Sequence, residues 1–587
     1  MLRRAPATIA LALLGFAGLA SATLAADPVT TAQTTASGLP PPAPTTAPAT
    51  APAVPAATAA ATTAAATTAA ATAASTGAAT AAAAPAPGAA ALVVSGHGFG
   101  HGIGLSQWGA NGYARHGWDY RRILAHYYPG TSLEARPAPT VHVLLADGRK
   151  RVTLRSDSPW KLTDATGASL ELPPGPLAVG PGLAVSGRRL VSPVTFSPGA
   201  TPLAFGKSSY RGTLQLVSNG KRLQVVNALP LESYVLGVVG GEVPSTWPAA
   251  ALEAQAVAAR SYALAELENV VTARAFDLYA DTRSQVYLGI AAESPQVTAA
   301  VRATARQVVV YAGKVATTYF SSSSGGRTVS AEEAFGKPVP YLVSVPDPYD
   351  TLSPYHDWGP VLLDARKAAK ALRVPGELLA LEPQPGPSGH AVRVEAVGTR
   401  GTVELTGAAV RAALGLRSTW FTAGRLALQA PSQPLAYGAS ATLTGSVQGV
   451  AGVTLEGRAG KGAWTPVLAV SPGSDGSFAV AVNPTATTEY RLAAGAVHAG
   501  LVKVAVTPAV SASVGAGAVQ GSVRPPLPGA AVQLQRQDGS GWTTVATGTT
   551  DVSGAFAVAA QLSPGSYRVR CAPGHGLSPG VSPPIQT

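Results

Sequence analysis

Apolar and polar positions alternate in short runs between Leu92 and about Ala430, as in Val141-His142-Val143-Leu144-Leu145 and Leu214-Gln215-Leu216-Val217, and a period of two predicts strands there. One stretch breaks that period. Residues from about Pro248 to Glu268 read as a helix, with Ser245 or Thr246 as its N-cap and Pro248 in its first turn. Beyond Pro431 the helical signals stop and two Gly-punctuated alternating stretches repeat one another. Trp464 and Trp542, like Phe478 and Phe556, are 78 residues apart, and Tyr490 and Tyr567 keep nearly the same offset. The spacing predicts two tandem β-sandwich modules, 431–507 and 508–587, with the matched aromatics as core plugs or, alternatively, as rings that stack on carbohydrate.

Ahead of this patterned sequence lies a segment with no period at all. Residues 27–90 are almost wholly Ala, Thr, Pro and Ser, so they lack an apolar face to bury and read as a disordered linker. Residues 1–26 begin with Arg3 and Arg4, continue through an apolar run from Ala7 to Ala20 and end in small residues, the pattern of a secretory signal peptide. That run is short for a membrane anchor. Of 587 residues, 64 are Gly and 50 are Pro, and 12% are charged. A chain of this length predicts several domains. The single cysteine, Cys571, excludes an intrachain disulfide framework and a multi-Cys zinc site. The net charge of +12 favours an anionic polymer as partner, and export disfavours nucleic acid and points to the cell envelope.

Three segments could carry chemistry. Ser95-Gly96-His97-Gly98-Phe99-Gly100-His101-Gly102-Ile103-Gly104 has glycine at every second position, and an extended chain of this kind bares one face to a ligand or another backbone. His97 and His101 would share the opposite face ~13 Å apart, too far to hold one metal, which leaves tight packing or a polar groove lining. Ser106, Gln107 and Trp108 follow directly and offer a hydroxyl, an amide and an indole face, groups that suit a sugar. The second segment runs from Leu229 to Pro244 and into the helix that carries Gln255, Arg260 and Tyr262. Here Glu242 sits between apolar sequence, which raises a carboxyl pKa, and a helix start, which lowers it; the sequence leaves the net sign open. The third comprises Tyr279 to Tyr287 and Tyr319 to Thr328. Its serine run lacks the Gly-x-Ser-x-Gly elbow of a serine hydrolase and suits sugar binding better.

Together these motifs resemble the SpoIID/LytB family, that of the stage II sporulation protein D and an amidase enhancer, over about residues 92 to 422. The resemblance rests on Gly98 to Ala110, on Ile123-Leu124-Ala125-His126-Tyr127-Tyr128-Pro129-Gly130-Thr131, and on Leu229 to Tyr262, above all Ala254-Gln255-Ala256-Val257-Ala258-Ala259-Arg260-Ser261-Tyr262. Gln285-Val286-Tyr287, Ser324-Gly325-Gly326, Pro340-Tyr341-Leu342 and Leu416-Arg417-Ser418-Thr419 extend it. It implies cleavage of peptidoglycan glycan strands by a lytic transglycosylase with Glu242 as acid/base, and Glu232 or Asp281 as the nearest second carboxylate. The sporulation protein's zinc site uses cysteine and histidine; Ser284 and Ser321 stand at the apparent ligand positions here, so no structural metal and no cofactor are expected. The glycine-histidine motif also leads the domain rather than closing it, which resembles a permuted segment.

The expectation is therefore an α+β SpoIID-like catalytic core over residues 91–430, followed by two all-β, Ig-like sandwich modules. The chain would be a secreted or envelope enzyme acting on peptidoglycan glycan strands. Its groove would draw on His101, Ser106, Gln107, Gln255, Arg260, Tyr262, Gln285, Ser323 and Ser324 around Glu242. The alternative is a non-catalytic wall-binding protein that stimulates a cell-wall amidase.

Overall fold

The computed structural model describes residues 90–268, 274–515, 517–574 and 576–587. The expected signal peptide and nearly all of the linker lie outside them. What is described is mostly β, with a small number of α-helices, all of them between Gln107 and Leu414.

Four helices matter for the site: α1 (Gln107–Arg115), α2 (Tyr120–Tyr127), α3 (Leu231–Glu242) and α4 (Ala249–Glu268). The last of these starts one residue after the predicted helix and ends on the same residue, Glu268. Its start differs from expectation, because Ser245 and Thr246 lie in a turn and it is the Pro248 carbonyl that accepts from Ala251 N and Leu252 N. Alanine-rich and buried from Ala251 to Ala265 with few exceptions, α4 is a central rod enclosed on all sides, which is why its apolar residues show no stripe. A seven-stranded sheet holds the predicted strands, with Thr140–Arg149, Leu223–Pro230 and Thr213–Ser218 as antiparallel neighbours. Its apolar face and α3 share one core that includes Val143, Leu214, Leu216, Tyr234, Val238 and Ala259.

Strand Ala91–His97 pairs on both edges, with Asp357–Asp364 and with Trp420–Gln429. Its period-two alternation feeds two cores. Leu92 and Val94 join a cluster with Leu372, Val394 and Phe421, whereas Ala91 and Val93 pack with Leu426, Leu443 and Tyr490. Trp420–Gln429 pairs in turn with Ala441–Gln448, so one five-stranded sheet runs across the expected boundary at 430 and 431.

The glycine run that follows this strand is not extended as expected. Gly98, Gly100, Gly102 and Gly104 all have positive φ, between 70° and 117°. Alternate left-handed residues crumple the chain into a loop that only glycine forms without strain. The loop is laced to the serine segment by reciprocal bonds between Phe99 and Ser323 and by Leu105 N to Tyr319 O. His97 and His101 accordingly share no strand face. His97 ends its strand beside a cavity of about 290 Å³ lined also by Asp357, Trp358 and Trp420.

The two tail modules are each built of two facing sheets, and their strands correspond one for one. Ala441–Gln448, Thr454–Ala459, Thr465–Ala469, Ser477–Val482 and Thr488–Ala494 recur as Ala518–Arg524, Ala531–Asp538, Gly541–Thr549, Ala555–Ala559 and Ser566–Cys571. Phe478 and Tyr490 in one and Phe556 and Tyr567 in the other fill the cores. The tryptophans do not. Trp464 and Trp542 are half-buried on the outer faces, where arginines stack on the rings: Arg458 and Arg491 over Trp464, Arg568 over Trp542. Trp464 lies just ahead of strand Thr465–Ala469 and Trp542 is the second residue of strand Gly541–Thr549.

Candidate active site

Glu242 is the last residue of α3, so the nearest helix pole to it is a carbonyl end, which disfavours a carboxylate, and the expected N-terminal influence is replaced by one of opposite sign. Glycines bring the rest of the site to it. A Cβ at Gly240 would overlap the Ala292 carbonyl and one at Gly237 would lie 2.5 Å from the Tyr287 ring, so only the bare helix face lets segment 286–292 lie against α3. That contact delivers Val286 N to Glu242 Oε1 at 2.7 Å, while Gln107 Nε2 donates to Oε2 at 3.0 Å. Burial pushes the carboxyl pKa up, and these two donors pull it partly back. The residue is half-buried. Trp108, one residue beyond Gln107, meets Trp247 edge to face at 5.0 Å beside the turn that leads into α4.

Gln107 is held by its neighbour. Ser106 caps α1 through Gly109 N at 3.1 Å and donates to Asp350 Oδ1 at 2.8 Å. Asp350 is wholly buried and also accepts from Ser323 Oγ, Ser324 N, Gly325 N and His356 Nδ1, while Asp347 accepts from Ser324 Oγ and Tyr127 OH. Ser106, Ser323 and Ser324 thus face a pair of buried aspartates rather than an open groove. Burial, then the Asp350 charge, push the Asp347 pKa up to about 7. Sequence reasoning missed both aspartates, since Asp347-Pro348-Tyr349-Asp350 carries no motif that announces a partner.

Other expected groove residues are also structural. Arg260 is fully buried and grips Glu232 through two bonds of 2.8 Å, besides reaching the Gln307 and Val301 carbonyls. Gln285 is spent on Tyr234 OH and the Ala259 carbonyl, and its contribution to the site is to place Val286. His101 accepts from Ile103 N, and burial with the Arg411 charge lowers its pKa to about 4, so it is a neutral clasp of the glycine loop. Tyr262 is buried, which raises its pKa, and touches Ser284 and Tyr319. Gln255 differs, being buried with both amide atoms unpartnered. Asp281 is exposed and paired with Arg283. Ser284 Oγ and Ser321 Oγ, at the apparent zinc positions, accept from Tyr279 N and Gly102 N.

What the geometry defines is a one-carboxylate site at a helix C-terminus, with a raised pKa and neutral amide donors. The model of the family described as "Stage II sporulation protein" matches residues 219–311, the segment that contains α3, α4 and the Gln285-Val286-Tyr287 stretch. Over that segment the chain resembles the SpoIID/LytB family. Stage II sporulation protein D of Bacillus subtilis is 36% identical over 145 residues, 22% of this chain and 42% of that protein. An amidase enhancer of the same organism is 36% identical over 115 residues, 19% of this chain and 15% of the relative. An uncharacterized protein of Brachyspira hyodysenteriae is 44% identical over 136 residues, 23% of this chain and 37% of that one. The chain thus covers less than half the length of each.

Proposed function

We propose that the protein is exported to the cell envelope and cleaves peptidoglycan glycan strands by lytic transglycosylation, with Glu242 as the single acid/base. The observation that carries this reading is the state of Glu242, a half-buried residue whose carboxyl pKa is raised by desolvation and whose neighbours are neutral donors. The carboxyls that could serve as a second group are committed elsewhere, Glu232 to Arg260 and Asp281 to Arg283. Hydrolysis of a glycosidic bond ordinarily needs two carboxyl groups, but an internal nucleophile needs one. Protonated Glu242 gives its proton to the leaving glycosidic oxygen, the C1–O bond breaks, and its electron pair stays on that oxygen. The resulting carboxylate then takes the proton of the same sugar's C6 hydroxyl as that oxygen bonds to C1, which closes a 1,6-anhydro ring and restores the acid. Gln107 and Val286 N hold the carboxyl through both steps, and the half-buried Trp108 ring, backed by the buried Trp247, offers an apolar face to a sugar.

The experiment is incubation of the full chain with stem-peptide-free glycan strands and mass spectrometry of the products. Anhydro-muramyl ends from wild type and none from Glu242→Gln support the reading; equal products from both remove Glu242 as catalyst. A second reading, a non-catalytic protein that enhances a partner amidase, is favoured by the similarity to the amidase enhancer. Absence of cleavage of either denuded or intact strands by wild type decides for it.

A further inference from the structure

The outer faces of the two tail modules differ at corresponding positions. In the first, Glu456 pairs across the strands with Arg491, whose Nε lies 2.7 Å from Glu456 Oε2, and Arg458 pairs with Glu489 at 2.8 Å. The charges cancel in place. In the second, the register shift between Leu534 and Gln535 repeats the one between Leu455 and Glu456, so Gln535 occupies the place of Glu456 and faces Arg568. Arg568 Nε donates to Gln535 Oε1 at 2.9 Å and Arg570 donates to Gln533 Oε1 at 3.1 Å. Among the described residues neither arginine forms an ion pair. Partial burial, and then the nearby charge of Arg570, lower the Arg568 pKa.

The rows continue across the sheet. Arg568, Gln535 and Thr544 form one, Arg570, Gln533 and Thr547 the next, and Trp542 lies 4.3 Å from the Arg568 guanidinium. Outward residues two apart on a strand stand ~7 Å from each other, so the face presents two half-buried cations flanked by the Gln533 amide, two exposed threonine hydroxyls and an indole, with the buried Gln535 amide holding Arg568 from beneath. Arginine forks recognise carboxylates, and amides and hydroxyls recognise sugar hydroxyls.

We propose that this outer face of the second module, around Arg568, Arg570, Gln533, Gln535 and Trp542, is a binding surface for a carboxylate-bearing glycan strand, which it retains independently of bond cleavage. The choice of glycan rests on the function proposed above; the cationic face itself does not. A module whose equivalent face has cancelled its charges serves as the built-in control.

The test is retention of the full-length Glu242→Gln chain on immobilised stem-peptide-free glycan strands, on the same strands with their carboxylates converted to amides, and on a polyglycerol phosphate. Gln535→Glu should weaken retention on the carboxylate strands about tenfold, the effect of cancelling one charge-assisted contact. The Glu456–Arg491 pair shows that the fold accommodates such an acid, and an unchanged melting temperature verifies it. Arg570→Gln should act in the same direction, and amidated strands should not be held. Glu456→Gln, which uncovers the equivalent arginine in the first module, should strengthen retention. Equal retention by Gln535→Glu and the parent, or retention of the phosphate polymer in preference to the carboxylate strands, overturns the proposal. Turnover of soluble strands by chains that keep Glu242 should be unaffected by these changes, so a failure of retention and a failure of catalysis are read separately.

Discussion

Adjacent residues at the start of α1 reach two carboxyl sites of opposite character. Ser106 holds Asp350, and Gln107 holds Glu242. Asp350 is wholly buried and takes five donors, one each from Ser106, Ser323, Ser324, Gly325 and His356, whereas Glu242 takes two and is a half-buried residue. Saturation marks the carboxyl that organises the fold, and incomplete satisfaction marks the one left free to exchange a proton. The one-residue separation means that whatever orders the first also aims the second.

That contrast predicts opposite outcomes for paired variants, and the largest expected effect is on rate. Glu242→Gln should lower turnover by about 10³-fold or more while leaving urea unfolding unchanged or slightly in its favour, since a desolvated carboxyl is removed. Asp350→Ala should instead cost about 3–5 kcal/mol of stability by stranding buried donors, read as a fall in the urea midpoint at unchanged slope. Comparable stability losses in the two variants break the contrast. Gly240→Ala comes next. Its Cβ meets the Ala292 carbonyl, so segment 286–292 must move and Val286 N must leave Glu242, at a cost of about 1–3 kcal/mol. Unfolding midpoint and turnover should fall together.

The pH dependence sharpens the structural side. With a pKa of about 7 when folded and an ordinary carboxyl range when unfolded, Asp347 binds its proton more tightly in the native state. Stability therefore falls as pH rises from about 4 to about 7 and stays at the lower level beyond. The groups that face it are Asp350, Tyr127, Ser324 and Ser106, with the Tyr113 hydroxyl also within reach of its charge and His356 bonded to Asp350. Asp347→Asn should remove most of that fall, measured by urea unfolding at pH 4, 5.5 and 7; an identical slope in variant and wild type excludes Asp347 as its source. The smallest effect is on the catalytic side. Gln107→Ala removes a donor that lowers the Glu242 pKa, so the alkaline limb of kcat/KM should move upward by a fraction of a unit, with the acid form persisting to higher pH. No movement means that the amide does not touch the carboxyl in solution.

Local signals in the sequence survive into the structure where neighbours along the chain decide the outcome. The helix at Pro248 to Glu268, the strands at Val141 and Leu214, and the repeat of Phe478 and Phe556 are of this kind. Glu242 was visible as a candidate from its motif, but its place at the end of α3 rather than ahead of α4 was not, because glycines within Val235 to Gly241 disfavour helix unless a tight neighbour requires them. The serines were misread for a different reason. Ser106 finds its partner 244 residues away and Ser324 finds one 23 away, so a row of hydroxyls that suits a sugar on paper is turned inward by carboxylates no local rule connects to it. Arg260 likewise reads as a groove cation until Glu232, 28 residues earlier, is seen to claim it.

Strand Ala91–His97 has a consequence for the order of assembly. It is the first strand among the described residues, yet both of its sheet neighbours, Asp357–Asp364 and Trp420–Gln429, come from far later in the chain. During synthesis it emerges with two bare edges and two apolar faces, and roughly the next 260 residues must follow before either edge can close. Loop closures of that length make this a late event, and every intermediate before it carries an open strand able to pair with the wrong chain. Closure of both edges therefore waits until the chain has reached Trp420–Gln429, so this sheet completes only after every helix and strand between its members has been made.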